Sequence, residues 1–355
     1  MSKPQAFALV LAGGGGTRLW PASRRSRPKQ LLSLGGAESL IAATFGRVSR
    51  VLGREHTLVV TAADQAEAMA RALPELPAEN LIAEPAARNT GPAVGLGALV
   101  AARRAGDDVR LAVIPSDAFI ADEIEFGRLL AVAIEHAAEA IVTIGVRPLR
   151  PETGYGYLQR GALVREGVFE VARFVEKPDS ATAVRYLASG DFLWNSGMFF
   201  FTARRLFDET AAHLPELAAI LAAIRGSADP IATARALYPR APKISIDYGI
   251  MEKASDIRVV PGAFGWNDVG SWSALADIRA KDGKGNVVIG DALASDVAGS
   301  VLVAESGGPF VGVVGVDDLV VVATKDAVLV VRKDRAQEVR ALVDALAAKQ
   351  RHELL

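Results

Sequence analysis

The chain has 355 residues, in which 40 lysines and arginines nearly balance 41 aspartates and glutamates, giving a net charge of −1. Hydrophobic residues make up 50% of the chain, which excludes a disordered protein, and the balanced charge excludes an overall cationic binder of nucleic acid or membrane. Cysteine is absent, which excludes disulfides, cysteine-ligated zinc, iron–sulfur clusters and thiol nucleophiles.

The first 150 residues alternate short apolar runs with helical patterns. The predicted elements are strand Phe7–Ala12, helix Ser39–Leu52, strand Thr57–Thr61, helix Asp64–Leu73, strand Asn80–Ala83, helix Thr90–Arg104, strand Val109–Ile114, helix Glu123–Ala138 and strand Ala140–Val146. This order predicts an α/β fold with a Rossmann-like, mostly parallel sheet and helices on both faces. Ligands of such sheets bind at the carboxyl ends of the strands.

The pattern changes after about residue 148. Strands Tyr155–Gln159 and Phe169–Glu176 follow each other without a helix, so we expect an antiparallel excursion, and helices return at Ala181–Ala188 and Ala203–Ala223. The glycine-rich segment 281–286 is typical of a turn-rich hinge. We therefore expect two domains, 1–280 and 281–355.

Short β-branched runs follow the hinge. They predict a small β-domain with strands Val287–Ile289, Ser300–Val303, Phe310–Val314, Leu319–Thr324 and Ala327–Val331. An amphipathic helix, Asp334–Lys349, closes the chain, with its apolar residues on one face.

No membrane-spanning segment stands out. The longest conspicuous uncharged stretch, Asn89–Ala102, falls short of the ~20 apolar residues that a span needs. The lack of cysteine fits a reducing compartment, so we expect a cytoplasmic protein. Because the charge is balanced and no spanning segment stands out, we expect it to bind neither membrane nor nucleic acid. The four histidines are scattered, so any metal should be a hard cation held by carboxylates.

Four successive glycines, Gly13–Gly16, follow the first predicted strand. Such a run lets backbone N–H groups approach a ligand, and Arg18 and Lys29 supply charge for phosphate oxygens. The G-x-G-x-x-G fingerprint fails because Arg18 replaces its third glycine, and the Gly-Lys-Ser/Thr of a Walker A loop is missing. The first 37 residues hold six basic residues and no acidic one. The alternative is a flexible turn with exposed basic residues.

Two aspartates are candidate metal ligands. Asp117 follows the predicted strand Val109–Ile114, where a carboxylate can hold a magnesium ion that also touches phosphates, or can cap a helix. Asp268 lies between Trp266 and Gly270, where it could equally be a turn residue.

Three further segments carry polar or charged side chains that could bind a ligand: Thr153–Tyr157, Phe174–Pro178 and Trp194–Phe199. Glu176 can accept hydrogen bonds from hydroxyl groups, and Lys177 can bind a phosphate. Each motif alone has a simpler interpretation, because Glu-Lys-Pro is usually a solvated strand end and Asn-Ser-Gly is usually a turn.

The string Leu11–Pro21, continued by Pro28-Lys29-Gln30, resembles the nucleotide-binding signature of the sugar-1-phosphate nucleotidylyltransferases. Its Arg-Leu-Trp-Pro form is similar to that of the mannose-1-phosphate guanylyltransferases (GDP-mannose pyrophosphorylases). Segments 84–92, 153–157, 174–178, 194–199 and 245–252 resemble the same family, in the same order, over about residues 6–275. The tail resembles the family's short β-helix-like domain and last helix. We expect no fused phosphomannose isomerase domain.

The resemblance implies a role for each matching residue. Arg18 and Lys29 would be catalytic, and Asp117 and Asp268 would bind Mg²⁺ or another divalent cation. The nucleotide-binding residues would be Leu11, Ala12, Gly13, Gly14, Gly15, Gly16, Thr17, Glu84, Arg88, Asn89 and Thr90. The residues that bind the sugar phosphate would be Tyr155, Gly156, Glu176, Lys177, Asn195 and Asp247. The family usually has histidine where this chain has Ala118.

The implied reaction converts GTP and α-D-mannose 1-phosphate into GDP-mannose and pyrophosphate. GDP-mannose would serve as a polysaccharide precursor. We expect the enzyme to be a homodimer. One alternative keeps the chemistry with another nucleoside triphosphate or hexose 1-phosphate. The other is a non-catalytic sensor or regulatory subunit for nucleotide sugars, which only Ala118 favours.

Overall fold

The computed structural model describes residues 6–355. The chain forms two compact units, each assembled from three segments. Among the described residues, the first unit comprises 6–13, Thr44–Ser116 and Asp122–Trp266. The second unit comprises Gly14–Ala43, Asp117–Ala121 and Asn267–Leu355. The domain boundary expected at residue 280 stays a prediction.

The elements that precede residue 150 follow the predicted alternation closely. They are β1 Ala6–Ala12, α1 Leu40–Leu52, β2 Thr57–Ala62, α2 Ala66–Ala72, β3 Leu81–Glu84, α3 Thr90–Ala105, β4 Arg110–Pro115, α4 Glu123–His136 and β5 Ile141–Val146. β1 is buried along nearly its whole length, as expected of a central strand covered on both faces.

The middle of the chain contains more elements than the sequence predicts. They are β6 Tyr157–Arg165, β7 Val168–Val175, α5 Ser180–Ser189, β8 Phe192–Thr202, α6 Ala203–His213, α7 Pro215–Gly226, α8 Pro230–Leu237 and β9 Ile257–Gly262. The single helix predicted at 203–223 is wrong: Leu214 leaves the helical conformation and Pro215 begins a new helix, where its missing N–H costs nothing.

The nine strands of the first unit form one sheet in the order β3-β2-β1-β4-β8-β5-β9-β7-β6. Strands β3, β2, β1 and β4 are parallel, so their carboxyl ends share one edge. Strand β8 is antiparallel to both β4 and β5, and β6 and β7 form the expected antiparallel hairpin. The interpretation of Asn-Ser-Gly as a turn is wrong, because residues 195–197 lie inside β8.

The second unit contains α9 Leu275–Ile278 and a small β-helix-like domain. Its strands are β10 Val287–Ile289, β11 Ala292–Ala298, β12 Val301–Ala304, β13 Val311–Asp317, β14 Leu319–Ala323 and β15 Val328–Arg332. β10, β12 and β14 are parallel neighbours in one sheet, and β11 and β13 are parallel in another. Helix α10, Val339–Ala348, follows a 3₁₀ segment, Lys333–Glu338.

The predicted hinge is a turn pinned by one buried amide. Asn286 is 1% exposed, and its Nδ2 donates to Asp282 Oδ2 at 3.0 Å and to the Val297 carbonyl at 2.8 Å. Its Oδ1 accepts from the Ser300 N–H at 2.9 Å. These bonds join the turn to the first coil of the β-helix-like domain, and the bonds to Asp282 lower the pKa of that carboxyl group.

We predict that Asn286→Ala lowers the free energy of unfolding by about 2 kcal/mol or more, because it leaves buried polar groups without partners. Thermal and denaturant unfolding measure the change. The matched control is Lys284→Ala in the same turn, where the side chain is exposed and the expected change is within ~0.5 kcal/mol. Equal stabilities of the two variants would contradict the role given to Asn286.

Candidate active site

A cavity of about 310 Å³ in the second unit brings together the main candidates for phosphate and metal binding. Its lining combines the glycine-loop end, two candidate carboxylates and three cations: Gly16, Thr17, Arg18, Leu19, Lys29, Asp117, Asp268, Val269, Gly270 and Arg340. The sequence predicts most of this group, although its members come from distant parts of the chain. Among its charged residues, Arg340 is the one that the sequence does not predict.

The glycine run turns sharply at Gly16, which has a φ of +56°. A Cβ atom placed on Gly16 would lie 2.3 Å from Cβ of Lys29, so no other residue fits there without displacing the lysine. The Ser23 hydroxyl donates to the Gly16 carbonyl at 2.8 Å. Gly14 and Gly15 are exposed, and a Cβ on Gly14 would have no heavy atom within 4 Å. The loop is thus fixed at one end and open along its length.

Lys29 lies in a 3₁₀ turn, Lys29–Leu31, and its side chain is 10% exposed. Its Nζ lies 2.8 Å from Asp117 Oδ2 and also donates to the Asp268 main-chain carbonyl. A buried ammonium group needs such partners, because desolvation of an unpaired charge is costly. Lys29 therefore connects the two candidate metal ligands.

Backbone pairing holds the two aspartates in the same cavity. Phe119 and Asn267 form an antiparallel bridge with N–H to carbonyl bonds of 2.8 and 3.0 Å. The Gly270 N–H donates to Asp268 Oδ1 at 3.1 Å. The interpretation of Asp117 as a helix cap is wrong, because Asp122 caps α4.

The donor set fits a hard divalent cation. Mg²⁺ usually takes one or two carboxylates from the protein and completes its shell with phosphate oxygens and water, and Asp117 and Asp268 match that number. Within residues 6–355 no group of three or more histidine, aspartate or glutamate side chains forms a fuller cage.

The other predicted nucleotide residues lie in the first unit. Leu11 and Ala12 end β1, and their carbonyls accept bonds from the Ser116 N–H at 3.1 Å and the Thr61 hydroxyl at 2.9 Å. A Cβ on Gly13 would lie 3.8 Å from Glu84 Oε1. Glu84 ends β3 and is 5% exposed.

Glu84 has one strong partner. The Tyr238 hydroxyl donates to Glu84 Oε2 at 2.5 Å. Burial raises the pKa of Glu84, and the tyrosine bond partly offsets this; burial and the facing carboxylate also raise the pKa of Tyr238. Hydrogen bonding from Tyr238 therefore holds the carboxyl group at the end of β3.

The segment after Glu84 enters helix α3. Asn89 has a φ of +68°, and its Oδ1 caps the helix by accepting from the Thr90 N–H at 2.8 Å. The Thr90 hydroxyl accepts from the Ile246 N–H at 2.9 Å, which fixes the segment against the one that carries Asp247. Arg88 Nε is buried and has no hydrogen-bond partner within residues 6–355.

The predicted sugar-phosphate residues converge in the first unit. Tyr155 packs edge-on against Trp194 and Trp266, with ring centroids 5.2 Å apart in each pair. A Cβ on Gly156 would lie 2.5 Å from Glu176 Oε2, so the glycine makes room for that carboxylate. The Asn195 N–H donates to the Gly156 carbonyl at 2.8 Å.

Charged groups in this cluster are coupled. Lys177 Nζ donates to Glu176 Oε1, and Asn195 Nδ2 donates to Asp247 Oδ1 at 3.2 Å. Burial, followed by the nearby Glu176 carboxylate, raises the pKa of Asp247 to about 6. Burial lowers the pKa of Lys177, but the Glu176 and Asp247 carboxylates outweigh it, so the net shift is upward. The cluster joins hydrogen-bond acceptors to one partly exposed ammonium group.

Sequence reasoning missed Arg340 and the packing role of Trp194 and Trp266. The tryptophans stand inside motifs that the sequence itself marks as candidates, but no sequence pattern shows that they pack against Tyr155. Arg340 gave no signal, since a basic residue on the polar side of an amphipathic helix is ordinary.

Comparisons with known proteins identify the family of this chain. A family model described as nucleotidyl transferase matches residues 7–285, and one described as MannoseP isomerase/GMP-like beta-helix domain matches residues 290–346. The chain belongs to the nucleotidyl transferase family, among the mannose-1-phosphate guanylyltransferases. It is an enzyme, and this family generally uses a divalent metal. The expected α/β fold with a β-helix-like domain is confirmed.

Individual relatives cover nearly the whole chain. A mannose-1-phosphate guanylyltransferase of Escherichia coli is 42% identical over 97% of this chain and 74% of its own length. The xanthan biosynthesis protein XanB of Xanthomonas campestris pv. campestris strain B100 is 43% identical, again over 97% of this chain and 74% of its own length. A solved structure from Thermus thermophilus, described as a mannose-1-phosphate geranyltransferase, is 40% identical with a TM-score of 0.89, covering 97% of this chain and 99% of that one.

Among residues 6–355, no helix has both the length and the apolar character needed to cross a membrane.

We predict that Asp247 makes stability depend on pH. Its pKa rises from 3.8 to about 6 on folding, so the native state binds more protons than the unfolded state between these values. This contribution is present below about pH 4 and is lost as the pH rises through about 6. We measure the melting temperatures of Asp247→Asn and of wild type from pH 4 to 8. The melting temperature of the variant minus that of wild type should therefore increase up to about pH 6 and then stay constant. A difference in melting temperature that does not change with pH would contradict the shifted pKa of Asp247.

Proposed function

We propose that this protein transfers the GMP group of GTP to α-D-mannose 1-phosphate, which gives GDP-mannose and pyrophosphate. The observation that carries the proposal is the cavity in which Lys29 joins Asp117 and Asp268 beside the glycine loop. The 42% identity to a mannose-1-phosphate guanylyltransferase supports the choice of substrates. The xanthan biosynthesis relative supports a product that serves as a polysaccharide precursor.

The chemistry is a displacement at the α-phosphorus atom. A phosphate oxygen of the sugar phosphate forms a bond to that atom, and the bond to the oxygen that bridges the α- and β-phosphates breaks. The sugar phosphate is already anionic at neutral pH, so no general base is required. Catalysis then consists of in-line positioning and of neutralising the charge that builds up on the phosphates.

Arg18 and Lys29 supply positive charge on the nucleotide side. Lys29 is held in place by its two partners, whereas Arg18 is exposed in the same cavity and forms no ion pair within the described part of the chain. Asp117 and Asp268 would hold a magnesium ion. When bound, such an ion supplies Lewis-acid stabilisation to phosphate oxygens.

The cluster in the first unit is proposed to bind the sugar phosphate. Lys177 would bind the phosphate group, since its side chain is half exposed. Glu176, Asn195 and Asp247 would bind sugar hydroxyls, for which they offer both acceptors and a donor. Glu84, Arg88, Asn89 and Thr90 are proposed to bind the nucleotide, near the base.

A homodimer remains part of the proposal. Exposed apolar side chains on the small β11–β13 sheet support it, because Leu293 is 64% exposed and Val314 is 72% exposed. The cytoplasmic location stays a prediction.

Pyrophosphate release over a matrix of nucleoside triphosphates and hexose 1-phosphates tests the function. We expect the highest kcat/KM for GTP with α-D-mannose 1-phosphate, and release only when a divalent cation is present. A different preferred pair would change the substrates but keep the chemistry. Ligand binding without release from any pair would favour the sensor and overturn the enzymatic proposal.

We predict that Lys29→Ala lowers kcat by ~100-fold or more, the scale of a lost charge-stabilising group. The control is Lys281→Ala, which removes an exposed ammonium group outside the cavity and should keep wild-type turnover. Near-normal kcat in Lys29→Ala, with the fold intact by circular dichroism, would contradict a catalytic role.

A further inference from the structure

Arg340 is the second residue of helix α10, the last α-helix of the chain, yet it lines the same cavity as Arg18 and Lys29. We propose that Arg340 binds the triphosphate of the nucleotide, and the pyrophosphate that leaves, so that helix α10 supplies part of the nucleotide site. This inference rests on the proposed function, which it deepens by adding a residue from the C-terminal segment.

Packing fixes the position of helix α10 beside the loop segment. Val339 is 3% exposed and belongs to the same apolar cluster as Leu19 and Trp20, which directly follow Arg18. Val343, one turn further along the helix, packs against that cluster. Just beyond the helix, the Leu354 carbonyl accepts a bond from Trp20 Nε1 at 2.7 Å. The buried face of the helix therefore holds Arg340 at the cavity.

The other basic residues just before Arg340 are neutralised by carboxylates. Arg332 pairs with Asp334 at 2.7 Å, Lys333 pairs with Asp318 at 2.7 Å, and Arg335 pairs with Glu338. Arg340 has no ion pair or side-chain hydrogen bond within residues 6–355, even though Asp344 stands one helical turn away in sequence. Its guanidinium group therefore remains available to a ligand.

The charge of the cavity fits a triphosphate better with this residue than without it. Three cations, Arg18, Lys29 and Arg340, face two carboxylates, Asp117 and Asp268. The ammonium group of Lys29 is already bonded to two protein groups, so the guanidinium groups are the freer donors. A guanidinium group presents a planar fork of donors that suits phosphate oxygens.

Steady-state kinetics of Arg340→Ala test the proposal, with Arg340→Lys as the conservative variant. We expect KM for GTP to rise about tenfold or more in Arg340→Ala, with an intermediate value in Arg340→Lys. KM for pyrophosphate in the reverse reaction should rise in parallel, whereas KM for mannose 1-phosphate should stay within about twofold. The matched control is Arg335→Ala, which removes an exposed guanidinium group outside this cavity and should behave as wild type.

Two results would overturn the inference. One is a wild-type KM for GTP in Arg340→Ala. The other is an equal rise in KM for both substrates together with a lower melting temperature, which indicates a structural role only. If the wild-type protein releases no pyrophosphate, the proposed function fails separately. Calorimetric titration with GTP and Mg²⁺ then tests nucleotide binding by Arg340 independently of turnover. Weaker binding by Arg340→Ala than by Arg335→Ala supports the inference, and equal binding overturns it.

Discussion

The second unit depends on the bonds that the buried ammonium group of Lys29 makes. This group binds the Asp117 carboxylate and the Asp268 carbonyl, and the lysine packs so closely on Gly16 that any side chain there would collide with it. A buried charge must have partners, and this lysine and its partners come from all three chain segments of the unit. One side chain thus holds the glycine loop, the candidate metal ligands and the segment after Trp266 in a common arrangement.

This constraint explains why the second unit combines distant parts of the chain. Residues 14–43 share their apolar core with the β-helix-like domain and helix α10. Trp20 and Trp272 illustrate this, because the Trp272 indole donates to the Trp20 carbonyl at 2.8 Å. The C-terminal segment therefore packs against the loop that we propose binds phosphate. Its Arg340 also lines the cavity that contains Lys29. The first unit, by itself, carries the coupled cluster of Glu176, Lys177, Asn195 and Asp247.

Much of the fold could be predicted because β1 to β5 and α1 to α4 carry clear apolar periods. Strand β8 could not, since it is buried along most of its length and shows no alternation, and the Asn-Ser-Gly in its middle has the pattern of a turn. Most of the candidate site was predictable from motifs in a recognisable order. The contact between Lys29 and Asp117 was not, because sequence patterns do not show which distant residues meet. Arg340 was missed for the same reason.

A double-mutant cycle on Lys29 and Asp117 tests the central claim most directly. The kcat/KM values of Lys29→Ala, Asp117→Ala and the double variant are compared with wild type. If the two side chains act as a unit, the double variant should be about as slow as the slower single variant, which gives a coupling energy of more than ~1.4 kcal/mol. Multiplicative losses, with a coupling energy near zero, would contradict the account.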